Sequence, residues 1–147
     1  MRHAIKAAEL FIEGYNCAQA VAVAFCDVTG LDEKTAAKQA SGFGGGVGGM
    51  REVCGAVSGM VMVLSHLYGY DDPADNGGKK RVYGNIQELA DAFEKECGSV
   101  ICRELMKHPA ADVPAEMAVY CAKRPCAKMV MVAADLLDGF ITGHPME

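Results

Sequence analysis

Apolar residues return at helical spacing along almost the whole chain. The pattern is plainest at Ile86, Leu89, Ala90, Phe93 and Cys97, which share one helix face, with Glu88, Asp91, Glu94 and Lys95 opposite. No stretch sustains the period-two alternation of a strand between turn signals. The pattern predicts an all-α, single-domain bundle of about eight short helices.

Caps and breakers set the expected limits. The first helix covers residues 2–13 and stops at Gly14; the second follows Asn16 and ends before Gly30. The third follows Asp32 and stops near Ser41, ahead of a glycine-rich loop over residues 42–49. The fourth covers residues 52–68, and a turn-rich stretch over residues 70–78 leads to the fifth, residues 80–97. The sixth covers residues 99–107, Pro109 and Pro114 bracket a loop, the seventh covers residues 114–122 and the last covers residues 125–140. No fixed-period repeat or low-complexity tail divides the chain, so its 147 residues read as one domain.

Charge narrows the partners. With 14 Lys+Arg against 19 Asp+Glu the net charge is −5, which argues against a nucleic-acid binder. The longest uncharged run, residues 53–70, holds Gly55, Ser58, Gly59, Ser65 and His66, so it reads as a buried central helix and not a membrane span. The opening segment lacks the pattern of a secretory signal, and a cytoplasmic location is expected.

Seven cysteines are the unusual feature. An odd number cannot pair fully within one chain, and a reducing compartment disfavours structural disulfides. Four of them fall at expected helix N-termini: Cys17 after Asn16, Cys54 after the glycine loop, Cys102 three residues after Ser99 and Cys126 after Pro125. Backbone N–H groups and the helix dipole favour negative charge there, so these four are the expected thiolates or metal-bound sulfurs. Arg51 and Arg103 sit beside two of them and add positive potential. Each also heads the apolar stripe of its helix, as Cys126 does with Met129, Val130, Ala133 and Leu137. These are the second, fourth, sixth and eighth expected helices, so in an up-and-down bundle their sulfurs would meet at one end. Cys26, Cys97 and Cys121 lie later in their helices and read as small core residues.

Glycines supply the second candidate group. Gly44, Gly46 and Gly49 satisfy a formal GxGxxG, but a helix precedes them and the P-loop Lys-Ser/Thr is missing, so no nucleotide is expected. Gly44, Gly45, Gly46, Gly48 and Gly49 can still bring backbone N–H groups close to a thiolate or cluster sulfide. Gly55 and Gly59, four apart, offer a helix face for close approach of a ligand or another helix. No Cys-x-x-Cys-His attaches haem, no Cys-x-x-Cys suggests common zinc or thioredoxin-like chemistry, and none of His3, His66, His108 and His144 sits in a metalloprotease motif.

Together these pieces resemble a known family. Gly14 through Val21, Met50 through Gly59, Gly98 through Leu105 and Cys126 through Val130 are similar to the C_GCAxxG_C_C family of redox-active proteins, over about residues 7–137. Position by position, its four cysteines fall on Cys17, Cys54, Cys102 and Cys126. The family label reads Gly-Cys-Ala where this chain reads Cys54-Gly55-Ala56, an offset of one residue. The resemblance implies a redox role. Related split-Soret cytochromes join a similar domain to haem and an iron–sulfur centre, of which only the sulfur-based part carries over.

The leading expectation is that Cys17, Cys54, Cys102 and Cys126 bind an iron–sulfur cluster, simplest as 2Fe–2S, for electron transfer with a redox partner protein. A thiol–disulfide enzyme using the same cysteines is the alternative. A non-catalytic helical binding or assembly module and a zinc site are further options, and a homodimer is the expected assembly.

Overall fold

Local capping starts the helices where the sequence places them. The Asn16 side chain accepts the N–H of Gln19 at 2.9 Å while the Gln19 side chain accepts the N–H of Asn16 at 3.0 Å, a reciprocal cap. Asp32 accepts the N–H of Thr35 at 2.7 Å in the same way. A computed structural model describes residues 2–107 and 113–146. The described residues form α1 (Arg2–Glu13), α2 (Cys17–Ala24), α3 (Cys26–Thr29), α4 (Glu33–Ala40), a 3-10 turn (Ser41–Phe43), α5 (Gly55–Tyr68), α6 (Asn76–Cys97), α7 (Cys102–Leu105), α8 (Ala115–Lys123) and α9 (Ala127–Gly143). The fold is all-α, as the periodicity predicts. Residues 108–112, which hold His108 and Pro109 at the start of the expected loop, lie outside the described residues.

Several expected limits move. The second helix breaks at Phe25 into α2 and α3. Phe25 is fully buried and stacks on His3 with ring centroids 4.2 Å apart, so tertiary packing turns the chain there. Nine helices result among the described residues, not eight, and Cys17, Cys54, Cys102 and Cys126 stand at the starts of α2, α5, α7 and α9. The even-number rule therefore does not hold. α6 begins at Asn76, inside the expected turn, because the Asp75 side chain caps the N–H of Gly78 at 2.8 Å. α5 and α9 start later than expected, which makes Cys54 and Cys126 N-cap residues and not first-turn residues. Ser99 does not cap α7; Ile101 does, and the Ser99 hydroxyl accepts the N–H of Ile101 at 3.0 Å.

The core follows from small residues at the contacts. α1 packs on α9 through Ala4, Ala7 and Ala8, all fully buried, and α9 buries Val130, Met131, Ala133, Ala134 and Leu137. α2 packs on α5 so closely that a Cβ added at Gly59 would fall 2.8 Å from the Ala18 carbonyl oxygen and 2.9 Å from the Val21 Cβ. Gly59 thus serves the close packing of α2 on α5. Phe11, Phe93, Met60 and Leu64 fill the space between, each contributing about 1.5–3 kcal/mol by leaving water. Among the described residues no helix is long and apolar enough to cross a membrane.

One polar cluster ties the chain's ends together. His3, 7% exposed, reaches Asp138 Oδ1 with Nδ1 at 2.6 Å and Asp27 Oδ1 with Nε2 at 2.9 Å. It thereby links α1, α3 and α9. His66 is exposed, its Nε2 at 2.9 Å from the Thr29 carbonyl.

Candidate functional site

The glycine loop is a left-handed turn. Gly45, Gly46, Val47, Gly48 and Gly49 all take positive φ, between 55° and 79°. Only glycine adopts such a run without Cβ strain, which explains the composition of this segment. Val47, at φ 67°, is a β-branched residue held in that unfavourable region. The turn closes through Arg51 N–H to the Gly45 carbonyl at 3.0 Å and Glu52 N–H to the Gly46 carbonyl at 2.9 Å.

The exit of this loop pairs with a distant segment. Val53 and Ile101 form an isolated antiparallel bridge. Cys54 N–H bonds to the Val100 carbonyl at 2.8 Å, Cys102 N–H to the Glu52 carbonyl at 2.6 Å, and Arg103 N–H to the Arg51 carbonyl at 3.2 Å. This short ladder brings the start of α5 beside the start of α7, with Cys54 on one and Cys102 on the other. Gly55 brings α2 close as well: a Cβ there would lie 3.1 Å from the Cys17 Cβ.

A cavity of about 230 Å³ lies where these elements meet. Cys17, Cys54, Cys102 and Cys126 all line it. Phe11, Leu105 and Met129 supply apolar wall, and Asn16, Arg51, Met106 and Arg124 complete it. Of the expected glycines, Gly45, Gly46 and Gly55 line the cavity; Gly44, Gly48, Gly49 and Gly59 do not. Gly44 instead leaves room for the Asn16 side chain, which an added Cβ would meet at 2.5 Å. Cys26, Cys97 and Cys121 stand outside the lining.

At Cys17, Cys54 and Cys126 the structure does not provide the expected low-pKa thiolates. Burial holds the Cys17 thiol well above the ordinary range, reinforced by Cys54 and Cys126. Burial pushes Cys54 up to about 11, even though the backbone N–H groups of Ala56 and Val57 at the start of α5 pull the other way. Cys126 is also raised, by burial and by Cys102. The helix-terminus effect inferred from sequence is thus present at Cys54 but is outweighed by loss of water. Outside the cavity, burial raises Cys97 to about 12.

Two guanidinium groups face the sulfurs. Arg51 Nη1 donates to Cys102 Sγ at 3.7 Å. Arg124 stacks over the Phe11 ring, 3.6 Å from its centroid, and donates to the Tyr15 carbonyl at 3.3 Å. Arg103, the other expected cation, turns to Glu52 at 2.8 Å. Arg124 carries no motif that marks it as a site residue in the sequence. Arg124 lies two residues before Cys126, the one local signal that could have marked it. The Met106 sulfur lies 3.8 Å from that of Cys126.

The thiols share a cavity without closing on a single point: among the described residues no three His, Cys, Asp or Glu side chains are grouped tightly enough for one metal ion. The donor set itself, four soft sulfurs with N–H donors and cations around them, suits a thiolate-ligated iron–sulfur group.

A family model described as "Putative redox-active protein (C_GCAxxG_C_C)" matches residues 15–140, and the chain belongs to that family. No curated protein and no solved structure matches the chain.

Proposed function

From membership of a redox-active family, we propose that the chain carries electrons on an iron–sulfur cluster, simplest as 2Fe–2S, held by Cys17, Cys54, Cys102 and Cys126. The observation that supports this reading is the meeting of four cysteines, from four separate helices, at one cavity. A two-iron cluster divides four cysteines into two pairs, one pair per iron. A tetrahedral zinc ion needs all four around one point, which fits this spacing less well.

When bound, such a cluster supplies one-electron chemistry. The chain's own residues would set how it does so. Cys54 stands at the N-cap of α5, beside the backbone N–H groups of Ala56 and Val57, the kind of donor that tunes the potential of a sulfur site. Gly45, Gly46 and Gly55 allow the backbone to approach without a side chain between. Phe11, Leu105 and Met129 keep water from the inner wall. Burial keeps Cys17 and Cys54 protonated in the free protein, so loading releases protons.

The thiol–disulfide alternative draws less support from this geometry. It needs an attacking thiolate, and burial works against one at Cys17, Cys54 and Cys126.

Anaerobic purification with iron and acid-labile sulfide analysis tests the proposal. The expected result is a coloured protein with about two irons and two sulfides per chain and a paramagnetic signal on reduction. A colourless, iron-free protein after anaerobic reconstitution would overturn it. Defined cysteine pairs on mild oxidation of that protein would favour the disulfide alternative.

A further inference from the structure

We infer that Arg51 and Arg124 are charge-compensating residues of the sulfur site, and that Arg51 is the one that sets how readily the site accepts an electron. This rests on the cluster reading above and assigns residues that reading does not require.

Four thiolates, two ferric ions and two sulfides carry a formal charge of about −2, and one-electron reduction makes it about −3. No bond is made or broken and no proton is needed; the electron comes from a one-electron donor. An apolar cavity is a poor place for that charge unless fixed cations face it. Arg51 and Arg124 both line the cavity. Among the ion pairs of the described residues none involves Arg51 or Arg124. Arg103 shows the contrast: it is on the neighbouring strand of the same short ladder, but Glu52 takes its charge at 2.8 Å.

The two arginines are held differently. Arg124 is half-buried, stacked on Phe11 and bonded to carbonyls of Phe11 and Tyr15, so its place is fixed by α1 and the loop after it. Arg51 is exposed, yet its backbone takes φ 60°, a conformation side-chain-bearing residues rarely adopt. Its N–H bonds to the Gly45 carbonyl at 3.0 Å and its carbonyl accepts Arg103 N–H at 3.2 Å. That pinned, unfavourable backbone delivers Nη1 to 3.7 Å from Cys102 Sγ. Strain kept at a point of contact with the site is what a positioning role leaves behind. Arg51 is also the exposed one of the two cations lining the cavity.

The test is the midpoint potential of the anaerobically reconstituted protein, followed by visible absorption during dithionite titration, for wild type, Arg51→Met, Arg51→Lys and Arg81→Met. Arg81 is exposed on α6, outside the cavity lining. Arg51→Met is expected to make reduction about tenfold less favourable, a fall of ~59 mV for one electron. Arg51→Lys should restore most of the difference and Arg81→Met should leave it unchanged. Should Arg51→Met fail to load, loading by Arg51→Lys still supports the inference, because the charge is then what is needed. Equal potentials for wild type and Arg51→Met, or equal shifts for Met and Lys, overturn it while leaving the cluster reading intact. A wild-type protein that takes up no iron and sulfide overturns both.

Discussion

Gly46 has no room for a methyl group beside Cys102: a Cβ built on its backbone falls 2.7 Å from the Cys102 Cβ. The same Cβ would also meet backbone at Arg51 Cα, 2.6 Å away, and at Glu52 N, 2.7 Å away. Neither can retreat, because the Val53–Ile101 bridge holds that segment. Gly46→Ala is therefore expected to cost about 2–4 kcal/mol, combining left-handed strain with overpacking. Gly48→Ala has a similar φ but nothing closer than 4.0 Å, so it should cost only about 1–2 kcal/mol. Urea denaturation of the two variants checks the order, and Gly46→Ala should also lose iron.

Serine replacements separate the cavity cysteines from the rest. Cys17→Ser, Cys54→Ser, Cys102→Ser and Cys126→Ser are each expected to lower iron and sulfide content severely after anaerobic reconstitution. Cys26→Ser and Cys121→Ser, outside the cavity lining, should load as wild type. Full loading in all four cavity variants would show that these sulfurs are not the ligands.

Gly59 is a packing residue on this structure, and the prediction is thermodynamic. Gly59→Ala pushes a methyl group into the Ala18 carbonyl and the Val21 side chain of α2. A loss of about 1–3 kcal/mol in unfolding free energy is expected. The site is read at the same time: α2 carries Cys17, so a shifted helix should also weaken cluster retention.

The His3 cluster predicts a pH dependence. Partial burial pushes the Asp27 carboxyl up, but its hydrogen bond to His3 and the charges of His3 and Arg2 outweigh this and hold it below its ordinary value of 3.8. A carboxylate lowered in the folded state adds stability in full above about pH 5 and loses it as pH falls through 3.8 and below. Wild type should therefore lose stability more steeply than Asp27→Asn between about pH 5 and 3, measured as urea midpoints. Parallel curves would show that Asp27 makes no net contribution.

Much of this molecule was legible before any coordinates. Asn16 and Asp32 announce α2 and α4 because a side-chain oxygen placed before an apolar-periodic run can cap the free N–H groups that follow. The four cavity cysteines stood out because each follows or forms a helix start, a local property. The break at Phe25 and the early start of α6 were not legible. The first depends on a stacking partner in α1, and the second on one aspartate outweighing two glycines. The upward thiol shifts at Cys17, Cys54 and Cys126 are not legible for a related reason: a helix terminus is written locally, whereas burial is the sum of everything packed around it.

By itself, then, the order of residues determined an all-helical chain, the places where most helices begin, and which sulfurs start them. These follow from spacing and capping within a few residues. Tertiary structure decided that the four sulfurs share a cavity, since α2, α5, α7 and α9 are gathered by a two-segment ladder between residues 51–54 and 100–103 and by close packing at Gly55 and Gly59. It also decided that Arg51 and Arg124, and not Arg103, face them, because contacts between residues far apart in the chain depend on shapes that neither segment specifies alone.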